Sequence, residues 1–484
     1  MRVAQPVAII VALVSLVALP ASAVSTVVPS WRPSQVAQLP AGASGLVQGY
    51  LPVLSCPSTG NCTVIGLYDD GQGHTQGLAL NQVGNSWLSP TTIVSPVGAS
   101  STPEVTPYGL SCATAGNCVA VGTYQVSALD TQGFIASEVA GRWRNATQAA
   151  MPSNALAQGQ SVQLRSVVCS SAGNCSATGS YLDNTKPLAA TQGLVMSEVN
   201  NVWSSAQEVQ LPADTNANPN TALTQIACGS AGNCSATGSY LDANNVQHGL
   251  LVNEVAGAWQ PAAALEPPAD ASTFAHAQVS SITCTGALSC TAIGTYFDVH
   301  GASQGFTVRE VSGRWQYAIT MRMPSDEATN PHVFFYGFAG ITCVNATNCA
   351  TGGQYRDSTG DYEGFFINEV NGIWSSATTL LLPPGSLMAG KNGGVVAVSC
   401  RSLGNCSAGA AYLDATNTYQ ALIINEVNGI WRTGIEVVLP GGATGIGIAG
   451  GVYSVVCHAD NHCSAEGSYL SSPTTYQGFV LQTN

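Results

Sequence analysis

Short apolar runs separated by clusters of Gly, Asn, Ser and Thr fill the chain from about residue 30 to its end, and none carries apolar residues at helical spacing. The stretch "ITCTGALSCTAIGTYFDVHGASQGFTVREVSGRWQYAITMRMP" predicts four strands. Strand a runs into Cys284, strand b runs from Cys290 to Tyr296, strand c is "QGFTVREV", and strand d starts near Trp315. Strands c and d are joined by "VSGRW" here, by "VNGIW" twice and by "VAGRW" elsewhere. A Gly or Asn in such a two-residue link supplies the positive φ angles of a type I′ hairpin.

The same unit returns along the chain, marked by sixteen cysteines in eight pairs of one spacing: Cys56/Cys62, Cys112/Cys118, Cys169/Cys175, Cys228/Cys234, Cys284/Cys290, Cys343/Cys349, Cys400/Cys406 and Cys457/Cys463. Pairs recur every 56 to 59 residues, the signature of a repeat architecture. A Trp follows the first Cys of six repeats by 31 residues (Cys56 to Trp87 is one) and that of Cys169 by 34, but the last repeat ends at Asn484 before its Trp is due. Residues 29–40, "PSWRPSQVAQLP", match the strand d sequences "GIWSSATTLLLP" and "NVWSSAQEVQLP". The N-terminus therefore carries the missing strand, with Trp31 as the eighth Trp. The expectation is an all-β, eight-bladed β-propeller of four-stranded antiparallel blades, its ring closed by an N-terminal strand that completes the last blade. A linear array framed d-a-b-c has the same count of units, but an open array calls for distinct polar caps.

Composition adds compartment and charge. Apolar residues make up 45% of the chain, enough for a core, and charged residues only 8%. The first 23 residues combine Arg2, an apolar run from Val7 to Leu19, and Ala21-Ser22-Ala23, which reads as a secretory signal peptide; an uncleaved anchor is the alternative. Residues 24–484 are then one propeller domain, secreted or extracellular. Without Arg2 the chain holds 12 basic and 26 acidic residues, so no nucleic-acid partner is expected, nor membrane insertion after signal cleavage. In an exported protein the paired cysteines indicate disulfides, each stapling a hairpin on the turn face of its blade. Zinc, the competing reading, needs four clustered ligands and closer spacing.

The blade motif "SCxSxxNCxAxGxY" resembles that of secreted bacterial multi-bladed β-propeller repeat proteins with a disulfide-stapled hairpin in each blade. The resemblance covers nearly all of the mature chain and implies architecture rather than activity. Sialidase-like propellers carry an Asp-box at the c–d turn, but here the Ser and Asp are absent and Gly stands two residues before Trp instead of three. Quinoprotein dehydrogenases use adjacent cysteines, which this chain lacks. No catalytic residues carry over from either, and no cofactor is called for.

In such a meander the a–b and c–d turns share one face, and the sequence-variable b–c and d–a loops share the other, where recognition residues are expected. The Tyr of strand b and the Trp of strand d recur in every copy, which reads as inter-blade packing rather than a sugar-stacking ring. Asp70, Asp183, Asp242, Asp298, Asp357 and Asp414 follow that Tyr by two residues and read as Asx-turn caps rather than calcium ligands. Glu138, Glu198, Glu254, Glu310, Glu369 and Glu426, before the c–d turn, read as solvated turn residues. "CHADNHC" offers His458, Asp460 and His462 as a possible metal loop on the turn face. Blades 4 to 6 place His248, His276, His300 and His332 on the variable face, next to the aromatic segment that holds Phe334, Phe335, Tyr336 and Phe338. This segment reads either as packing over the ring mouth or as a ligand pocket of His248, His276, His300, His332, Phe335, Tyr336 and Asp298, with Asp326 and Glu327 nearby. Two function classes follow. One is a non-catalytic propeller that binds glycan or an extracellular protein. The other is a secreted glycoside hydrolase or polysaccharide lyase with a His/carboxylate site on that face. The absence of a serine-triad motif, metal signature or phosphate loop favours the first.

Overall fold

The computed structural model describes residues 28–47, 53–186, 189–336, 340–387, 393–441, 443, 445–447, 451–458 and 462–484. The proposed leader, Phe338 and Asp460 lie outside them. Blade 3 illustrates the unit: strand a Gln163–Ser171, strand b Asn174–Asp183, strand c Ala190–Val199, and a strand d split into Val202–Trp203 and Gln207–Glu208. The split departs from the single strand d that the sequence predicts. After each Trp the edge strand leaves the ladder and rejoins strand c a few residues later, Leu194 pairing with Glu208. Both residues of the c–d turns have positive φ, as in Asn200 (50°) and Asn201 (64°) or Asn371 (52°) and Gly372 (81°), the requirement of the type I′ hairpin.

Blades 2 to 7 form six separate five-stranded sheets, and blades 8 and 1 share one ten-stranded sheet. The N-terminal strand explains the shared sheet. Gln35 and Val36 pair with Val480 and Phe479 of strand c of blade 8, and Trp31 bridges Thr483. A second stitch, Gly45–Leu46, pairs with Tyr476 of blade 8 and with Tyr68 and Asp69 of blade 1. The inner strand of blade 1, Val53–Ser58, packs against that of blade 8, Gly451–Cys457, so the ring is closed and no linear array remains.

The core lies in the seams between blades. Val119, Val121 and Ile135 of blade 2 pack with Leu164, Val167 and Tyr181 of blade 3, and each neighbouring pair of blades repeats the arrangement. Trp259 Nε1 donates to Ser197 Oγ of the preceding blade (3.1 Å) and Trp315 Nε1 to Asn253 Oδ1 (3.0 Å). The repeated Tyr residues are buried, and most of their hydroxyls bond nearby: Tyr181 to Asn154 at 3.0 Å and Tyr240 to Asp214 at 3.1 Å. The motif glycine has a local cause. A β-bulge on strand a, at Arg165 in blade 3, presses the preceding backbone against strand b, and a Cβ on Gly179 would overlap the Gln163 carbonyl.

All eight cysteine pairs are disulfides across the a–b hairpin, and among the described residues no cysteine is free. Each stands beside its a–b turn, as the sequence predicts, with Cys169 paired to Cys175 next to Ser171 and Asn174 in blade 3, but half of it is deeply buried. The second cysteine of each pair, namely Cys62, Cys118, Cys175, Cys234, Cys290, Cys349, Cys406 and Cys463, is buried, none more than 5% exposed. The first of each pair is only half-buried. Strand b lies under a neighbouring blade from its second residue onward, so its cysteine already points into a seam. Cys175 packs there with Val167 and Ala177, Cys118 with Leu110 and Ala120, Cys234 with Ile226 and Ala236, and Cys62 with Leu54 and Val64. The disulfides belong to the core of the scaffold.

Candidate functional site

The two faces divide as the meander requires. On the turn face the c–d turn hydrogen-bonds the a–b turn of its own blade, Asn201 N–H to Gly173 O at 2.9 Å. On the loop face the d–a links entering blades 3 to 7 hydrogen-bond the b–c loop of that blade, Val299 N–H to Asp270 O at 2.9 Å. Asp carboxylates cap those b–c loops. Asp298 Oδ1 accepts from the N–H groups of His300 (2.8 Å) and Ala302 (2.9 Å), and its Oδ2 from Gln304 (3.1 Å). Burial pushes the Asp298 carboxyl up, but these donors outweigh it and hold it below the usual range. Asp414, bonded by Thr416 and Gln420, is lowered to about 2.

The sequence-predicted pocket residues fall into three groups. His276, His300 and His332 are exposed on the loops of blades 5 and 6, and His276 meets the Phe297 ring edge-on at 6.0 Å. His248 Nε2 lies 3.3 Å from Asp242 Oδ2 and its ring leans on Tyr240, with centroids 5.5 Å apart. Phe335 is in the core instead, 3% exposed and edge-on to Phe365 at 5.7 Å. Strand alternation explains this: Phe335 points into the blade 5–6 seam, so its neighbour Phe334 points to solvent, 53% exposed. Tyr336 is half-buried and donates to Gln354 Oε1 at 3.2 Å.

Sequence reasoning missed Phe274, Phe297 and Tyr362 on this surface. Among the described residues the exposed Phe and Tyr are Phe274, Phe297, Tyr317, Phe334 and Tyr362, all on blades 4 to 6 or the links between them. Tyr362 also lines a hollow of about 550 Å³ with Glu363, Thr379, Pro384 and Ser386. The signal was present as "ASTFAH", "TYFDVH" and "NPHVFF", each an aromatic within three residues of a histidine. In the same sector Glu327 is pushed up by burial and by the Asp326 charge beside it.

The Glu residues before the c–d turns require a correction. Glu138, Glu198, Glu254, Glu310, Glu369 and Glu426 are buried, not solvated, none more than 6% exposed. Strand c is covered on both faces, so a side chain one turn from its end still points into a seam. Asn81 of blade 1 donates to Glu138 Oε1 at 2.5 Å, Asn253 to Glu310 Oε1 at 2.7 Å, and Arg309 to Glu369. Burial raises Glu138, Glu198, Glu310 and Glu369, and it raises Glu426 to about 7. The Sγ atoms of Cys400 and Cys406 approach Glu426 within 4.8 Å, but they form a disulfide and offer no thiolate to a metal. In "CHADNHC", His458 N–H donates to His462 O at 2.8 Å.

No protein-family model matches the chain, and no curated protein matches it. Solved structures with a related chain path include the Hadza microbial sialidase Hz136, at 9% identity and a TM-score of 0.39 over 68% of this chain and 65% of that one. A PL25 ulvan lyase matches at 9% identity and a TM-score of 0.45 over 90% and 93%. The Trypanosoma rangeli sialidase matches at 9% identity and a TM-score of 0.36 over 90% and 54%. This chain thus spans less than two thirds of the length of both sialidases. Among the described residues no helix is long and apolar enough to cross a membrane.

Proposed function

We propose that the protein is an exported, non-catalytic β-propeller that binds glycan through the loop face of blades 5 and 6. The observation that carries this reading is the confinement of the exposed aromatic side chains to one sector of the ring. Exposed aromatic patches on a rigid scaffold serve recognition, because their faces cover sugar C–H surface while nearby imidazoles, hydroxyls and amides take the hydroxyl groups. His276, His300, His332, Phe297, Phe334 and Tyr362 supply that mixture. Export is supported by the eight disulfides, which persist in oxidising compartments. The test is a glycan array probed with wild type and with Phe297→Ala/Phe334→Ala. Saturable binding that the double variant loses supports the reading, and wild type that binds no glycan while retaining protein partners would replace it with protein recognition.

One observation favours a second reading, a hydrolase or lyase on the same face: Glu327, with its carboxyl pushed upward beside Asp326, has the profile of a general acid. A polysaccharide-degradation panel separates the two. Turnover abolished by Glu327→Gln would make the protein an enzyme.

A further inference from the structure

Ala350 stands where four other blades carry a serine and two a threonine, and the seam beside it is open. Between blades 3 and 4, Glu254 accepts from Ser197 (2.7 Å) and from Ser176 (2.9 Å). Between blades 4 and 5, Glu310 accepts from Asn253 (2.7 Å) and from Ser235 (3.2 Å). Ser176 and Ser235 each follow the second cysteine of their blade, and the residue after Cys349 is Ala350. Asn368 still donates to Glu426 Oε1, but among the described residues Glu426 Oε2 is buried without a partner. An orphaned buried acceptor is costly, and a ligand that supplies a donor recovers that cost.

The room for one is there. Ala350, Glu426, Phe366 and Trp431 line a cleft of about 1070 Å³ between blades 6 and 7, against about 230 Å³ for the hollow at the blade 3–4 seam. Its lining is mainly apolar, and Phe366 and Trp431 stack at 3.8 Å along one wall. Val344, Val370, Leu403 and Ile430 are exposed at its rim on the turn face. Among the lining residues only Asp326, Glu369 and Glu426 are ionisable. Asp326 is engaged by Tyr355 at 2.9 Å and Glu369 Oε1 by Arg309. Glu369 Oε2 is also buried without a partner among the described residues, but its seam keeps a hydroxyl residue, Thr291, at the serine position, whereas the Glu426 seam has Ala350.

We propose that this cleft binds a small molecule with an apolar, ring-sized body that ends in one O–H or N–H donor, the donor taking the place of the missing serine on Glu426 Oε2. The site is on the other face from the aromatic sector and is independent of the glycan reading.

Calorimetric titration at pH 8.5, where the Glu426 carboxyl is ionised and both its oxygens accept, with 2-phenylethanol, 2-phenylethylamine and (2-methoxyethyl)benzene tests it on the full chain. The alcohol or the amine should bind about tenfold more tightly than the donorless ether, as expected for a hydrogen bond to a buried acceptor. Which of the two binds more tightly separates a hydroxyl from an ammonium head. Ala350→Ser, which restores the internal donor, should remove that preference while melting no lower than wild type. Ala350→Val, which adds bulk without a donor, should keep it. Absence of binding by all three probes, an ether that binds as well as the alcohol and amine, or equal effects of Ser and Val at 350 would each overturn the assignment.

Discussion

Raising the pH should destabilise this ring from about pH 4.5 upward, with Glu426 a main contributor. Its carboxyl faces Asn368 from blade 6, Arg401 from the a–b turn of its own blade, and the Cys400–Cys406 disulfide. Burial raises it from 4.5 to about 7, against the pull of Asn368 and Arg401. An acid whose folded value is raised is held protonated by the fold. Its contribution is therefore full below 4.5, declines between 4.5 and about 7, and is gone above that. The difference amounts to about 3 kcal/mol at pH 8. Glu138, Glu198, Glu310, Glu369 and fully buried Glu466 shift the same way. The capping aspartates act at the other end: Asp298, Asp357 and Asp414 are lowered, so their contribution is present above about 4 and is lost as acid titrates them. Maximum stability should fall near pH 4 to 5. Denaturant unfolding from pH 3 to 8 measures the curve for wild type and Glu426→Gln, a change the fold accommodates because Gln82, which pairs with Trp87 as Glu426 does with Trp431, fills the same position in blade 1. The variant should be the more stable at pH 8 by about 3 kcal/mol relative to its difference at pH 4. A wild-type curve that rises from pH 4.5 to 7.5, or a variant with the same slope as wild type, would refute the reasoning.

Other outcomes follow from the seams. Thiol titration of denatured, unreduced protein should find none of the sixteen cysteines free, and peptide mapping should link each only within its own blade. Deleting Ser30 to Pro40 removes the strand that pairs with Val480 and Phe479 and should lower Tm steeply or cause aggregation through the bared edge; a monomeric variant with unchanged Tm would contradict closure. Tyr181→Phe, which breaks hydrogen bonds to Asn154 and Glu208, should cost about 1 kcal/mol and leave glycan binding unaltered.

The repeat, the disulfide framework and the N-terminal closing strand were legible because each depends on local spacing that one chain displays eight times. The depth of the disulfides was not, because the burial of Cys62, Cys118, Cys175, Cys234 and Cys463 comes from the blade packed over strand b and not from the hairpin itself. Strand d as a continuous element was not legible either, because the residue in the break bonds to the preceding blade instead of strand c, as Ala206 N–H does to Ala150 O at 2.7 Å. The Glu residues were misjudged for a related reason: a charged side chain beside a Gly turn reads as solvated, and only the neighbouring blade, some 57 residues away at Asn81, makes Glu138 an interior group. On the loop face, the exposure of His276, His300 and His332 was legible from their place in the variable links, while Phe335 is buried and Phe334 exposed because strand alternation there depends on where the d–a link rejoins the sheet. Asp298 was named both as a cap and as a pocket residue, and its cap bonds occupy both oxygens.

The most direct test of the central claim is glycan binding measured for His300→Ala/His332→Ala beside His458→Ala/His462→Ala, each first shown to melt as wild type does. His300 and His332 stand on the loop face, exposed beside the aromatic sector, and His458 and His462 close a turn on the opposite face. Loop-face recognition predicts that the first pair weakens binding at least tenfold and that the second leaves it unchanged. Binding lost with the second pair and kept with the first would put recognition on the turn face and contradict the account.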